Sequence, residues 1–371
     1  MKRVWMVADC IVSPLGWTTA ENYKNLRAGR TGIRQINDAS FSKDPFYGAL
    51  IEGVSSTEEV SRFEYLCQRA LQSLMQTVAL PPTRTVFILS TTKGNISFLE
   101  EGRADHPRIH LHAVAKMLAA QIGLTNYRVV SNACISGVMA AIVAKRLLLA
   151  GQYDHAVVLG ADAVSRFVVS GFQSLQALTP EVCRPFDAAR KGINLGESAA
   201  AMVLTVNPDA LGAKPVISIE GGGLSNDANH ISGPSRTGEE LGYAIRQALE
   251  ESNLTENDID FISAHGTATL YNDEMEAKAF NRTGLENTPL NSLKGYFGHT
   301  LGAAGVVEMI MSAESLKHDE LLPTRGFETP GTSQAVNVIQ TLEQRPLKTC
   351  LKTASGFGGC NAAIILQEHN F

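Results

Sequence analysis

The chain has 371 residues, 44% hydrophobic and 19% charged, with 32 Lys and Arg against 37 Asp and Glu. A slightly acidic balance with no basic run and no aromatic-basic interleaving argues against nucleic acid as a partner, and no apolar stretch approaches the ~18 residues of a membrane span. The amino-terminal MKRVWMVADCIV enters a short strand containing Asp9, without the apolar core or cleavage site of a signal peptide, which points to a cytoplasmic protein.

Strand and helix patterns alternate along the chain. They predict a strand over 4–12, a helix over 20–28, a longer helix over 58–78 and a strand over 85–90. A helix over 113–122 follows, then a strand over 127–130, an apolar helix over 134–150 and strands over 155–160 and 199–206. After the turn-rich NPDALGAKP the order restarts with a strand over 216–221, a helix over 237–252 and a strand over 259–264. Helices over 273–281 and 306–316 precede two strands around SGFGG. The alternation predicts an α/β architecture with buried sheets. In each half a strand leads through a small-residue loop into an apolar helix, which suggests a duplication into halves 1–207 and 208–371 with a site where they meet.

Three of these strand-to-helix corners carry chemistry. Cys134 sits in SNACISG, where small neighbours allow a tight corner and a helix N-terminus favours thiolate. His265 opens HGTAT, whose Thr267 and Thr269 hydroxyls point the same way if the segment is extended. His299 lies in KGYFGHTLGAAG before the last apolar helix. Neutral imidazoles donate N–H bonds to a developing enolate or oxyanion, so one thiol and two histidines suit an enzyme that holds a thioester and stabilises a carbanion. Taken singly, each has a plainer reading: a buried packing cysteine, a polar turn, a satisfied core histidine.

The other cysteines, Cys10, Cys67, Cys183, Cys350 and Cys360, show no CxxC pairing, as expected of independent thiols in a reducing compartment. His106, His110 and His112 in HPRIHLH are spaced for a divalent metal, but no acidic or thiol partner lies in the segment. We read it as an exposed loop near an acyl pocket or a dimer contact, with no metal.

The segments SNACISG, AHGTATLYND, KGYFGHTLGAAGVVE and SGFGG resemble, in order and spacing, the motifs of the elongating β-ketoacyl-acyl carrier protein synthases, from Val4 to the C-terminus. The resemblance implies a thiolase-like fold, two similar αβα halves in a five-layered αβαβα unit. It also implies an acyltransferase that condenses malonyl carrier protein with an acyl group held on Cys134. Its partner would be an acyl carrier protein, and its assembly a homodimer or a heterodimer with a chain-length-factor-like subunit. No cofactor is implied, since the 4′-phosphopantetheine arrives on the carrier. Cys134 and Phe357 would supply the backbone N–H groups of the oxyanion hole. His265 and His299 would flank the malonyl thioester, Lys294 would orient them together with Glu308, and Asp273 would support the site. Thr267 and Thr269 match positions that bind pantetheine. Phe357, on a glycine-rich loop, would swing as a gate over the acyl pocket unless it is a fixed core ring.

Relatives differ at single residues. Degradative thiolases carry a second catalytic cysteine in the C-terminal glycine loop, where this chain has Gly356, and Cys360 lies beyond the loop. Initiating synthases have Asn in place of His299, and inactive chain-length partners lack the nucleophile. Departures from the family pattern also stand out. CRPFDAARKGINLGESAA has Lys191 for an Asp and Ser198 for a Gly, and the usual basic docking helix carries Glu58 and Glu59, leaving Arg62 and Arg69 for carrier docking. These departures favour a specialised pathway, polyketide or aryl polyene, over housekeeping fatty-acid elongation. A thiolase-type coenzyme A acyltransferase and a non-catalytic chain-length partner are the competing readings.

Overall fold

The computed structural model describes residues 2–54, 56–57, 59–227 and 233–369. Ten strands build its main framework, five from each half. The first five are β1 (Val4–Val12), β2 (Thr85–Ser90), β3 (Tyr127–Val130), β4 (His155–Asp162) and β5 (Ser198–Thr205). The second five are β6 (Ile217–Asn226), β7 (Phe261–Ser263), β8 (Pro289–Asn291), β9 (Thr349–Gly356) and β10 (Cys360–Glu368).

The first set is ordered β1-β5-β4-β2-β3 and the second β6-β10-β9-β7-β8. In both sets the first two pairings are antiparallel and the last two parallel. β1 and β6 pair antiparallel over Val4–Ile219, Trp5–Ser218 and Met6–Ile217, so the hydrogen bonding runs from one set into the other.

Strand faces explain the layers. Along β5, Ala200, Met202 and Leu204 pack into the central core, while Ala199, Ala201 and Val203 face an outer core under α1 (Arg62–Met75) and α2 (Leu111–Gln121). Along β10, Ala362, Ile364 and Leu366 face the centre, and Ala363 and Ile365 face the opposite outer core. A strand apolar at every position is what a sheet covered on both faces requires. The result is the five-layered αβαβα arrangement.

The central layer is made by α3 (Ser136–Leu149) and by the last helix of the chain (Ala304–His318). They cross backbone to backbone: a Cβ on Gly137 would lie 2.8 Å from the Val306 nitrogen, and one on Gly305 2.5 Å from the Val138 nitrogen. Between these helices in chain order come α4 (Arg166–Ser174), α5 (Glu239–Ser252) and α6 (Leu270–Arg282), making the last helix α7.

Helix boundaries differ from the sequence expectation by one to four residues at most ends, and two of the differences bear on the site. The helix expected over 58–78 spans only Arg62–Met75, because Ser61 and Glu64 form a capping box that sets its start; Glu58 lies outside the described residues. The helix expected over 134–150 begins at Ser136. The HPRIHLH segment is not one exposed loop. Pro107–Ile109 is a 3-10 turn, the His106 ring lies tilted at 46° against Phe98 with centroids 4.2 Å apart, and His110 occupies the N-cap position of α2. None of its three histidines reaches the cavity described below.

Candidate active site

Cys134 stands in a corner rather than in a helix. Ala133 adopts a left-handed conformation at φ 44°, a strained choice for a residue with a Cβ, and this turns the chain from β3 into α3. The Ser136 hydroxyl accepts from the Asn132 N–H at 2.8 Å and donates to the Ala133 carbonyl at 2.6 Å, which fixes the corner. Gly356 packs against the same turn; a Cβ there would lie 2.9 Å from the Cys134 nitrogen.

Cys134, His265 and His299 line one cavity of about 380 Å³. The sulfur and one ring nitrogen of each histidine all lie within 4.8 Å of one another, and the imidazole centroids are 5.0 Å apart at 80°. In His299, Nδ1 accepts from the Leu301 N–H at 3.1 Å, so the neutral ring carries its proton on Nε2. That Nε2 has no protein partner, and neither has Nδ1 of His265.

Burial governs the protonation states. It drives both histidines well below their ordinary range, and Lys294 adds repulsion in each case. Burial also pushes the Cys134 thiol up to about 12, with Cys360 adding to the rise and Lys294 and Lys93 opposing it. The helix-stabilised resting thiolate expected from the sequence is therefore corrected. Cys134 lies two residues before the helix, and its burial favours the neutral thiol.

Lys294 is fully buried, hydrogen-bonded to Glu308 and donating to the His265 carbonyl at 3.0 Å. Glu308 pairs through its other oxygen with Lys352, at 2.6 Å. Lys352 also donates to the carbonyls of Ser263 and Ala264 at 3.1 and 3.3 Å. Two buried ammonium groups thus clamp the segment that ends in His265.

A pair of buried acids fixes the following turn. Glu276 accepts from the N–H groups of His265 and Gly266 at 2.8 and 2.6 Å, and from Thr353 and Asn272. Asp273 accepts from Phe186 and Thr267 N–H groups at 2.7 and 3.0 Å; burial pushes its carboxyl up to about 7. Thr267 and Thr269 both line the cavity, with their hydroxyls 2.9 Å apart. They meet because Ala268 is left-handed at φ 61°, not because the segment is extended.

Phe357 is 41% exposed and stacks on Phe172 of α4, ring centroids 5.7 Å apart. It is not a fixed core ring. Cys360 is buried beside it, its thiol directed at the carbonyls of Phe357 and Asn132, and it does not line the cavity.

Two docking candidates fare differently. Arg62 is bound to the buried Glu197, its Nε 3.0 Å from both carboxylate oxygens, and to the carbonyls of Ile51 and Val54, so it is not a free surface cation. Arg69 remains on the surface over the Trp17 ring. At the other departure, the Ser198 hydroxyl donates to the Val12 carbonyl at 2.8 Å inside the core.

Sequence reasoning missed Lys352, Glu276 and Phe172. Lys352 had a signal: it shares the inward face of its strand with the apolar Cys350 and Ala354, where a charge needs a buried partner. Glu276 lies one turn beyond Asp273 on the same helix face.

A family model for the β-ketoacyl synthase N-terminal domain matches residues 100–210, and one for its C-terminal domain matches 216–328. A putative polyketide β-ketoacyl synthase 1 of Streptomyces virginiae is 30% identical over 99% of this chain and 98% of its own length. A 3-oxoacyl-[acyl-carrier-protein] synthase 2 of Rhizobium meliloti (strain 1021) is 35% identical over 66% of this chain and 61% of its own. Among solved structures, a ketosynthase in complex with its chain length factor, from Xenorhabdus doucetiae, matches with a TM-score of 0.83 at 25% identity, over 99% of this chain and 98% of that one. The chain belongs to the β-ketoacyl synthases and is a condensing acyltransferase of the polyketide or fatty-acid type, built on the thiolase-like fold.

Proposed function

We propose that Cys134 holds the growing acyl chain while His265 and His299 stabilise the malonyl enolate. The observation that carries this reading is the meeting of one sulfur and two imidazole nitrogens within 4.8 Å at one cavity wall. In the first half-reaction the Cys134 sulfur adds to the carbonyl of an acyl-pantetheine thioester. The pantetheine sulfur leaves with the thiol proton. In the second, the malonyl thioester loses carbon dioxide, and its electron pair remains as an enolate beneath the Nε2–H of His299 and the ring of His265. The enolate carbon bonds to the acyl carbonyl, the C–S bond to Cys134 breaks with its electron pair on sulfur, which takes up a proton from solvent, and the 3-oxoacyl thioester departs two carbons longer.

Backbone N–H groups of Cys134 and Phe357 would receive the oxyanion, which the packing of Gly356 on the Cys134 nitrogen supports. Lys294, Glu308 and Asp273 are positioning residues, and the paired hydroxyls of Thr267 and Thr269 suit the amides of the pantetheine arm. Electrostatic donors of this kind contribute factors on the order of 10²–10³ in rate. The same reading takes 1–207 and 208–371 as duplicated halves, supported by their identical strand order.

The partner is an acyl carrier protein, as the name of the Rhizobium relative states for that protein. A chain-length-factor subunit is the second partner we infer, from the Xenorhabdus complex. The polyketide name of the Streptomyces relative supports a specialised pathway. No helix among the described residues is long and apolar enough to cross a membrane, and we infer a cytoplasmic location. The test separates the half-reactions. His265→Ala and His299→Ala should each remove malonyl decarboxylation more completely than acyl transfer to Cys134, and Cys134→Ala should lose acylation. Decarboxylation near the wild-type rate in both histidine variants would refute the enolate assignment.

A further inference from the structure

The departure at Lys191 stands at the mouth of the cavity and has no role in the chemistry above. Among the described residues, Lys191 is the only Lys or Arg that lines the cavity. Its backbone is laid against the threonine segment on both sides. The Gly192 N–H donates to the Ala268 carbonyl at 3.0 Å, and Arg190 Nε and Nη2 donate to the carbonyls of Thr269 and Leu270, both at 3.3 Å. Arg190 is itself buried and bound to the carbonyls of Asp187 and Gly331, so this base is rigid. Lys191 therefore lines the same cavity as Thr267 and Thr269, with its side chain open to solvent.

Its ammonium group pairs with Glu181 at 2.9 Å, and the two side chains are 58% and 38% exposed. A pair so open to water is weakly held and readily exchanged for a stronger anion. An arm that runs from the two threonine hydroxyls to solvent passes this cation on its way out. A carrier-borne arm has an anion at that end, the phosphodiester that joins it to the carrier.

We propose that Lys191 recognises the phosphate of the phosphopantetheine arm and makes the enzyme prefer phosphate-bearing thioesters. The inference rests on the proposed use of this cavity by an acyl-pantetheine arm. Lys191 is then a specificity residue, releasing Glu181 as the phosphate arrives. A phosphate oxygen accepts a charge-assisted N–H bond from an ammonium group more strongly than a neutral acceptor would.

The test compares malonyl-phosphopantetheine with malonyl-pantetheine, two soluble thioesters that differ only in the phosphate, so that carrier docking does not enter. Wild-type enzyme should show a KM about tenfold lower for the phosphorylated thioester. The preference should shrink as ionic strength rises. Lys191→Gln should lose the preference, while Lys191→Arg should keep it. A Lys191→Gln enzyme that still discriminates, or a wild type that does not, would overturn the proposal while leaving the condensing site intact. Failure of wild type to decarboxylate either thioester would overturn the enolate assignment and this inference with it.

Discussion

Lys352 lies 2.6 Å from one oxygen of Glu308 while Lys294 holds the other, so a single buried carboxylate serves two buried ammonium groups. Both lysines also donate to main-chain carbonyls at the end of β7, which makes the charge cluster the support on which His265 rests. Glu308→Ala would leave two facing cations without their common partner and should cost about 3–5 kcal/mol. Lys352→Met should cost less. It leaves the Lys294–Glu308 pair whole, and the nearby Glu276, already pushed upward by burial, can take a proton. Urea unfolding of the two variants checks the order, and equal losses would show that charge balance is not what the cluster provides.

Alkylation of Cys134 should be selective by access rather than by a preformed thiolate. Cys134 is 8% exposed and lines the cavity, whereas the other five cysteines are 3% exposed or less. Brief iodoacetamide treatment followed by mass spectrometry should find the label on Cys134 first. With the thiol held at about 12, the labelling rate should still be climbing at pH 9. A plateau near neutral pH would mean that the corner stabilises thiolate against the effect of burial.

The histidines should remain neutral donors well into acid. Their values lie well below 6.5 because burial and the neighbouring lysines both oppose the imidazolium. Lowering the pH therefore leaves the neutral form in place through 6.5, and the imidazolium, which donates from both nitrogens and so loses the acceptor that His299 Nδ1 offers the Leu301 N–H, forms only at the depressed values. The rate of malonyl decarboxylation should be flat from pH 8 to pH 6, once carrier and enzyme stability are controlled. An acid limb centred near 6.5 would contradict this.

Phe357→Ala should separate gating from stability. The ring is partly exposed and makes one stacked contact with Phe172, a kind of pair worth about 0.5–1.5 kcal/mol. We expect a stability loss in that range, far from the ~3 kcal/mol or more of a truncated core Phe. Single-turnover acylation should slow or lose its order relative to malonyl binding. Normal acylation would retire the gate.

Much of this architecture was legible because its strands are short apolar runs bounded by turns, several of them buried on both faces. The strands over 4–12, 85–90 and 127–130 were read with the bounds they have. Helix ends were harder where local chemistry overrides periodicity. Ser61 and Glu64 cap α1 inside a stretch that continues to look helical, and the left-handed Ala133 holds Cys134 out of α3. Long-range partners left no local trace. Phe172 and Phe357 meet from α4 and the β9–β10 loop, far apart in the chain, and the pairing of Arg62 with Glu197 required the fold to be seen.

The contact of Gly137 with Gly305 ties the chemistry to the spacing of the two sheets. Cys134 precedes the first of these glycines by three residues and His299 precedes the second by six, so each proposed reacting group lies on the short segment that leads into one of the two crossing helices. The gap between thiol and imidazole is thereby a caliper reading of how closely the halves are seated. A larger side chain at either glycine would open the jaws without touching a reacting atom. Any strain that slides one half across the other, including strain imposed by a partner on an outer strand, would register first as a change in catalytic distance.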